Sequence, residues 1–236
     1  MIRQAWITLF VVIHTLIFCL WAMVLSLFRP REKLVHFWAA RPWARGILKA
    51  CGIRVRIDGV ERVDPSLARI YMCNHESYLD IFGLLSYLPV DFKFLLKQEL
   101  MRIPILGTAM KLAGYIPIDR KDPRRAVKSI QSAVEKIRNG SSILIFPEGT
   151  RTEDGNLQDF KTGGFNLALR AQCDIFPVAI IGARRLLPKG SFRPRKGSFT
   201  IRFGRPIPTS GYTRKNLEEL VAKVREAISA MLDQGP

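Results

Sequence analysis

Ile53-Arg54-Val55-Arg56-Ile57-Asp58 (IRVRID) is where the chain changes period. Apolar and charged residues alternate through it, so every second side chain falls on one side of an extended segment, and the run ends at the turn pair Asp58-Gly59. A half-buried strand is the expected structure. Downstream, strand-like runs recur at Ile70–Cys73, Phe92–Leu96, Tyr115–Ile118, Ile143–Phe146, Phe176–Ile181 and Phe199–Phe203. Helical spacing separates several of them. One helix is opened by Asp122 as its cap with Pro123 in the first turn, carries Val127, Ile130, Val134 and Ile137 on one face, and stops at Asn139-Gly140. Another places Leu217, Leu220, Val221, Val224 and Ile228 on one stripe near the end of the chain. Strands alternating with helices predict an α/β fold: a mixed, largely parallel sheet flanked by helices.

Upstream of Ile53 the pattern differs. Ala5 to Phe28 contains no formal charge and is long enough, at about 1.5 Å per residue, to cross a hydrocarbon layer of about 30 Å. A cleaved signal peptide would show a shorter apolar stretch ending in a small-residue cleavage site, which does not follow here. Arg29, Arg31, Lys33, Arg41, Arg45 and Lys49 come after the segment and Arg3 alone before it, so the positive-inside bias puts the remainder on the cytoplasmic face. Leu34 to Cys51 interleaves Phe37, Trp38, Trp43, Ile47 and Leu48 with cations; it reads as a helix in the headgroup zone or as one packed on the domain, bent at Pro42. Residues 1–51 are thus expected to be a membrane-associated helical segment and 52–236 the α/β domain.

The 236 residues suit one such domain with an appendage, and 37 Lys and Arg against 20 Asp and Glu give a formal net charge of +17. A polyanionic neighbour is implied, and the apolar leader selects a membrane over nucleic acid, which is not an expected partner. Cys19, Cys51, Cys73 and Cys173 show no C-x-x-C spacing, so neither a zinc site nor a disulfide framework is suggested. Membrane lipids are the expected surroundings.

Reactive groups in a parallel sheet collect just past strand ends. Asn74-His75-Glu76-Ser77-Tyr78-Leu79-Asp80 follows the run Ile70–Cys73. On one straight helix, residues five apart point about 140° away from each other, but a turn before the helix start lets Asp80 hold one ring nitrogen of His75 and leave the other free to take a proton. No G-x-S-x-G elbow is present, Lys161-Thr162-Gly163 has no companion S-x-x-K, position 79 is Leu where H-E-x-x-H needs histidine, and the phosphate-binding glycine patterns are missing. The nucleophile would then be a hydroxyl of the substrate itself.

Asn74–Asp80 resembles the N-H-x-x-x-x-D motif of the glycerolipid acyltransferases, the 1-acylglycerol-3-phosphate acyltransferases in particular. Lys97 to Arg120 is similar to that family's second block through Lys97, Pro104, Gly107, Ile118, Asp119 and Arg120, while FPEGTR (Phe146–Arg151) is identical to the usual third block. FKTGG (Phe160–Gly164) and FPVAI (Phe176–Ile180) resemble later stretches. The resemblance runs from about residue 70 to 182. It implies His75 and Asp80 as catalytic residues, and Lys97, Arg120, Glu148, Gly149, Thr150 and Arg151 as acceptor-binding ones. Glu148 is equally readable as a carboxylate satisfying turn amides, and Gly149 as a backbone device. The implied reaction moves an acyl group from acyl-CoA or acyl carrier protein to the hydroxyl of a lysophospholipid such as 1-acylglycerol 3-phosphate, giving phosphatidic acid, with no metal or bound cofactor. A different lysolipid, such as a lyso-ornithine lipid, is the alternative acceptor. A non-enzymic basic protein binding membrane or nucleic acid is the alternative from another class.

Overall fold

A computed structural model describes residues 2–119 and 122–235. Its strands are β1 (Ile53–Asp58), β2 (Ile70–Cys73), β3 (Phe92–Lys97), β4 (Ile116–Ile118), β5 (Ser142–Ile145), β6 (Ile175–Ile181) and β7 (Gly197–Phe203), within a residue or two of the runs expected. Among the described residues they form one sheet of seven strands in the order β1-β7-β6-β2-β5-β3-β4. All neighbours are parallel except β6 and β7. The mixed, largely parallel α/β sheet is therefore present.

Strand periodicity explains the two cores. In β2, Tyr71 and Cys73 face one side and Ile70 and Met72 the other; in β6, Phe176, Val178 and Ile180 oppose Ile175, Ala179 and Ile181. The first side is covered by α3 (Arg41–Cys51) and α4 (Leu79–Tyr87), and the second by α6 (Pro123–Arg138), α7 (Gly163–Ala171) and α9 (Leu217–Asp233). Gly83 lets α4 approach β7 closely, since a Cβ there would meet Phe199 at 2.8 Å and Ile201 at 2.9 Å. Asp122 Oδ1 accepts the Arg124 N–H at 2.9 Å at the head of α6. The buried face of α6 begins at Ile130; Val127, expected on it, is 45% exposed.

The amino-terminal helices are part of the same body. α1 (Ile2–Leu25) is followed by α2 (Arg31–Val35), a π-helical turn (His36–Ala40) and then α3. Ile7, Ala44, Ile47 and Leu48 share one apolar cluster with Leu79 of α4 and with Phe176 and Phe199 of the sheet. Ala22 and Leu25 pack with Ala113, which follows α5 (Leu106–Leu112). Arg41 and Arg45 donate to the Ser86 and Leu88 carbonyls at the end of α4, where a helix leaves acceptors unpaired and favours cations. Pro42 stands where a π-helical turn passes into α3. Its missing N–H would have bonded Trp38 in a regular α-helix; the turn there is π-helical, and the Trp38 carbonyl accepts from Trp21 Nε1–H of α1 at 3.0 Å.

Candidate active site

Registers bring the reactive loops together. Met72 pairs with Ile145, Cys73 with Val178 and Phe94 with Leu144, so β2, β5, β3 and β6 end at one edge of the sheet. Past that edge come Asn74–Tyr78 after β2, Phe146–Thr152 after β5, and α8 (Ala183–Leu186) after β6. Asn74 fixes the first of these by exchanging two hydrogen bonds with the Ile180 backbone, at 2.8 and 2.7 Å.

His75 stands in the turn before α4 and Asp80 in its first turn. Asp80 is buried, and its Oδ2 accepts three hydrogen bonds: from His75 Nδ1 at 2.8 Å, the Glu76 N–H at 2.7 Å and the Ser77 N–H at 2.9 Å. The two amides belong to the turn that precedes α4, so the carboxylate fixes that turn and orients the imidazole at once. Nε2 is the ring nitrogen left to face a substrate. One ring face of His75 lies on Phe146, with centroids 3.8 Å apart and planes 16° off parallel.

The second loop is tied to the first. Glu148 is buried; Oε1 accepts the His75 N–H at 2.7 Å and Oε2 the Gln158 N–H at 2.9 Å, while the Thr152 N–H donates to the His75 carbonyl at 2.8 Å. Burial pushes the Glu148 carboxyl up, and these donors pull it back. Gly149 has φ +74°, which glycine adopts freely. Thr150 is exposed, and its carbonyl accepts from the Gln158 side chain at 3.4 Å. The Arg151 guanidinium carbon lies 3.8 Å over the Tyr78 ring, and Nη1 is buried with no hydrogen-bond partner in the described structure. That is a cationic donor held in place and unused.

Lys97 ends β3 at the same sheet edge but is 63% exposed along its side chain and pairs with Glu99 at 3.3 Å. Among the described residues no hydrogen bond or ion pair joins it to the His75 or Arg151 loops. Arg120 lies outside the described residues. The structure thus brings together His75, Asp80, Glu148, Gly149, Thr150 and Arg151. Phe146 beneath His75 and Tyr78 beneath Arg151 were not singled out from sequence, although both lie inside the quoted motifs. Glu76, also buried, accepts the Arg184 N–H at 3.2 Å at the start of α8, and its carboxyl is pushed up to about 7 by desolvation and then by the Asp80 charge. Among the described residues, no group of three or more His, Cys, Asp or Glu side chains is placed to hold a metal ion.

The family model described as Acyltransferase matches residues 54–181, which contain this whole constellation. A 1-acyl-sn-glycerol-3-phosphate acyltransferase of Chlamydomonas reinhardtii is 31% identical over 237 residues, covering 93% of this chain and 70% of that one. The chain belongs to the acyltransferase family. The chloroplastic 1-acyl-sn-glycerol-3-phosphate acyltransferase LPAT1 of Arabidopsis thaliana is 37% identical to this acyltransferase over 166 residues, 70% of the chain. The acyltransferase spans about half the length of that relative, 46% of it being covered. The crystal structure of the 1-acyl-sn-glycerophosphate acyltransferase PlsC from Thermotoga maritima superposes with a TM-score of 0.84 at 24% identity, covering 99% of this acyltransferase and 94% of that chain. Its fold is the fold described above.

Proposed function

We propose that this acyltransferase esterifies the free hydroxyl of 1-acylglycerol 3-phosphate with a fatty acyl group from a thioester, acyl-CoA or acyl carrier protein, to give phosphatidic acid. One observation carries the proposal: an imidazole oriented by a buried carboxylate stands in a loop bound to the one that holds an unpaired guanidinium donor. His75 Nε2 takes the hydroxyl proton as the oxygen attacks the thioester carbonyl. The C–O bond forms, the tetrahedral intermediate collapses with cleavage of the C–S bond, and the imidazolium returns the proton to the departing thiolate. Asp80 holds the tautomer that leaves Nε2 unprotonated and stabilises the imidazolium that follows.

Arg151, held over the Tyr78 ring, pairs with the acceptor phosphate through its guanidinium fork. Lys97 and Arg120 supply further positive charge. Glu148 braces the two loops through both oxygens, which favours its turn-amide role over direct contact with glycerol hydroxyls. Gly149 serves the turn, and Thr150 borders the acceptor. The matching names of the relatives support this acceptor.

The chain works at a membrane. α1 is long and apolar enough to cross one by length and composition. Its docking favours a different placement, within one leaflet; the cytoplasmic face remains the expectation set by the cations that follow the helix. Arg3 donates to the Cys51 and Pro194 carbonyls at one end, and Trp21 to Trp38 at the other, so the domain accompanies the helix along its length. A spanning helix would carry Arg3 about 30 Å from the domain.

The test is mass spectrometry of lipids formed by the purified chain, offered lysophosphatidic acid, a lyso-ornithine lipid and a neutral lysolipid with each thioester. Phosphatidic acid as the main product is expected. Preferred acylation of a lysolipid without a phosphate monoester would overturn the acceptor, and no acylation of any would overturn the reaction.

A further inference from the structure

Beyond α1, a loop on the far side of the domain sequence combines an exposed aromatic with cations that form no ion pair among the described residues. Pro188 to Gly197 (PKGSFRPRKG) joins α8 to β7 and contains four Lys and Arg and no acid. Phe192 at its tip is 76% exposed, whereas Pro194 is buried and pins the loop. Lys189 is paired with Glu153 at 2.9 Å, but Arg193, Arg195 and Lys196 are exposed and form no ion pair among the described residues. An exposed phenylalanine costs hydration free energy in water, and neighbouring cations repel one another. Side by side and next to the apolar face of α1, the two features suit a partner that accepts both.

The loop is fastened to the foot of α1. Gln4 donates to the Phe192 carbonyl at 2.6 Å and Arg3 to the Pro194 carbonyl at 3.2 Å. A cleft of about 440 Å³ lies at this junction, lined by Arg3, Gln4, Ser191, Arg193 and Arg195 among others. Beside it runs a groove lined by Ala5, Thr8, Leu9, Val12, Gln4 and Arg193. Leu9 and Val12 belong to the exposed apolar face of α1. The surface therefore passes without a break from apolar helix face, across Arg193, to a cationic cleft with an aromatic tip. That sequence of chemistries matches hydrocarbon, then phosphate, at the edge of a lipid leaflet.

We infer that residues 188–197 are a second membrane-contact element, which inserts Phe192 beside α1 and sets Arg193, Arg195 and Lys196 against the phosphates of an anionic phospholipid bilayer. This rests on the membrane reading above and adds to it a lipid-charge preference located outside the catalytic loops. The occupant is a bilayer surface, not free phosphate, because the cleft opens onto the apolar groove.

The experiment uses the full chain bound to vesicles of phosphatidylcholine alone or with about a third phosphatidylglycerol. Phe192→Cys is spin-labelled; the four native cysteines are buried. In anionic vesicles the label should be shielded from a water-soluble nickel relaxant and open to oxygen. An Arg193→Gln, Arg195→Gln, Lys196→Gln triple variant should lose about tenfold or more of the preference for anionic over neutral vesicles. Its acyl transfer in detergent micelles should be unchanged. Inorganic phosphate at constant ionic strength should displace nothing; displacement would mean a free-anion site and would overturn the bilayer assignment. A bound chain whose label at 192 stays in water, or a triple variant that keeps its preference, overturns the element while leaving the anchoring by α1 intact. A wild-type chain that binds no vesicle overturns both.

Discussion

Asp80 both caps a turn and holds an imidazole, and substitution separates the two. An asparagine carbonyl keeps the acceptor for Glu76 and Ser77, but its amide nitrogen falls where Oδ1 is buried without a partner, and the negative charge is gone. Asp80→Asn should therefore lower kcat by about two orders of magnitude or more while costing only about 1–3 kcal/mol of stability. His75→Ala should lower turnover about 10²–10⁴-fold with the fold intact. Initial rates and thermal midpoints measured side by side check both; a rate near wild type in His75→Ala removes the residue from the mechanism. Tyr78 gives a finer test. A ring under a guanidinium contributes about 0.5–2 kcal/mol, so Tyr78→Leu should reduce kcat/KM for lysophosphatidic acid by a few-fold to about thirtyfold, and Tyr78→Phe should restore it. An equal loss with an acceptor lacking the phosphate monoester would make Tyr78 a packing residue. The pair His75 and Asp80 was legible in the sequence because a turn before a helix solves their spacing. Phe146 and Tyr78 were not, because nothing in one dimension says which aromatic lies under which polar group.

At the scale of elements, strand positions were legible because buried strands show unbroken apolar runs and the edge strand β1 alternates. The links between loops were not. Glu148 reaches the His75 amide across 73 positions of sequence, and such a pairing follows from the register of β2 on β5, which no local pattern encodes. The link from Glu76 to α8 yields a pH prediction. Its carboxyl ordinarily titrates near 4.5 and is raised to about 7 in the fold, by burial first and Asp80 second. The folded chain thus holds a proton that the unfolded chain has released, and stability declines as pH rises from about 4.5 through about 7. The loss is on the order of 3 kcal/mol. Glu76→Gln should flatten this decline and unfold at a higher temperature than wild type at pH 8, with little difference at pH 4.5. Parallel melting curves for the two proteins across that range would show that Glu76 is not the source.

For the whole molecule, the leader was legible as apolar and long but not as two-faced. Ile7, Cys19, Ala22 and Leu25 are buried against the domain, whereas Leu9, Leu16 and Ile17 are exposed. The two faces should respond to different assays. Leu9→Gln, Leu16→Gln and Ile17→Gln together should weaken partition into vesicles, each by about 1–3 kcal/mol, and leave the thermal midpoint in detergent unchanged. Ala22→Leu should instead lower that midpoint, by about 1–3 kcal/mol of overpacking, with partition intact. If the exposed-face variant unfolds early or the buried-face variant loses its membrane, the division of labour on α1 is wrong.

The hydrogen bond from Trp21 to the Trp38 carbonyl acts as a key in a lock. Proline has taken away that carbonyl's ordinary donor, so rolling or sliding α1 would forfeit the indole's hydrogen bond, a loss of about 0.5–1.5 kcal/mol. That bond consequently favours one seating of the helix. On the one-leaflet placement proposed above, bilayers of different thickness would meet it at the same rotation and height, and the distance from the leaflet to His75 would be a dimension of the protein, not a variable of the lipid.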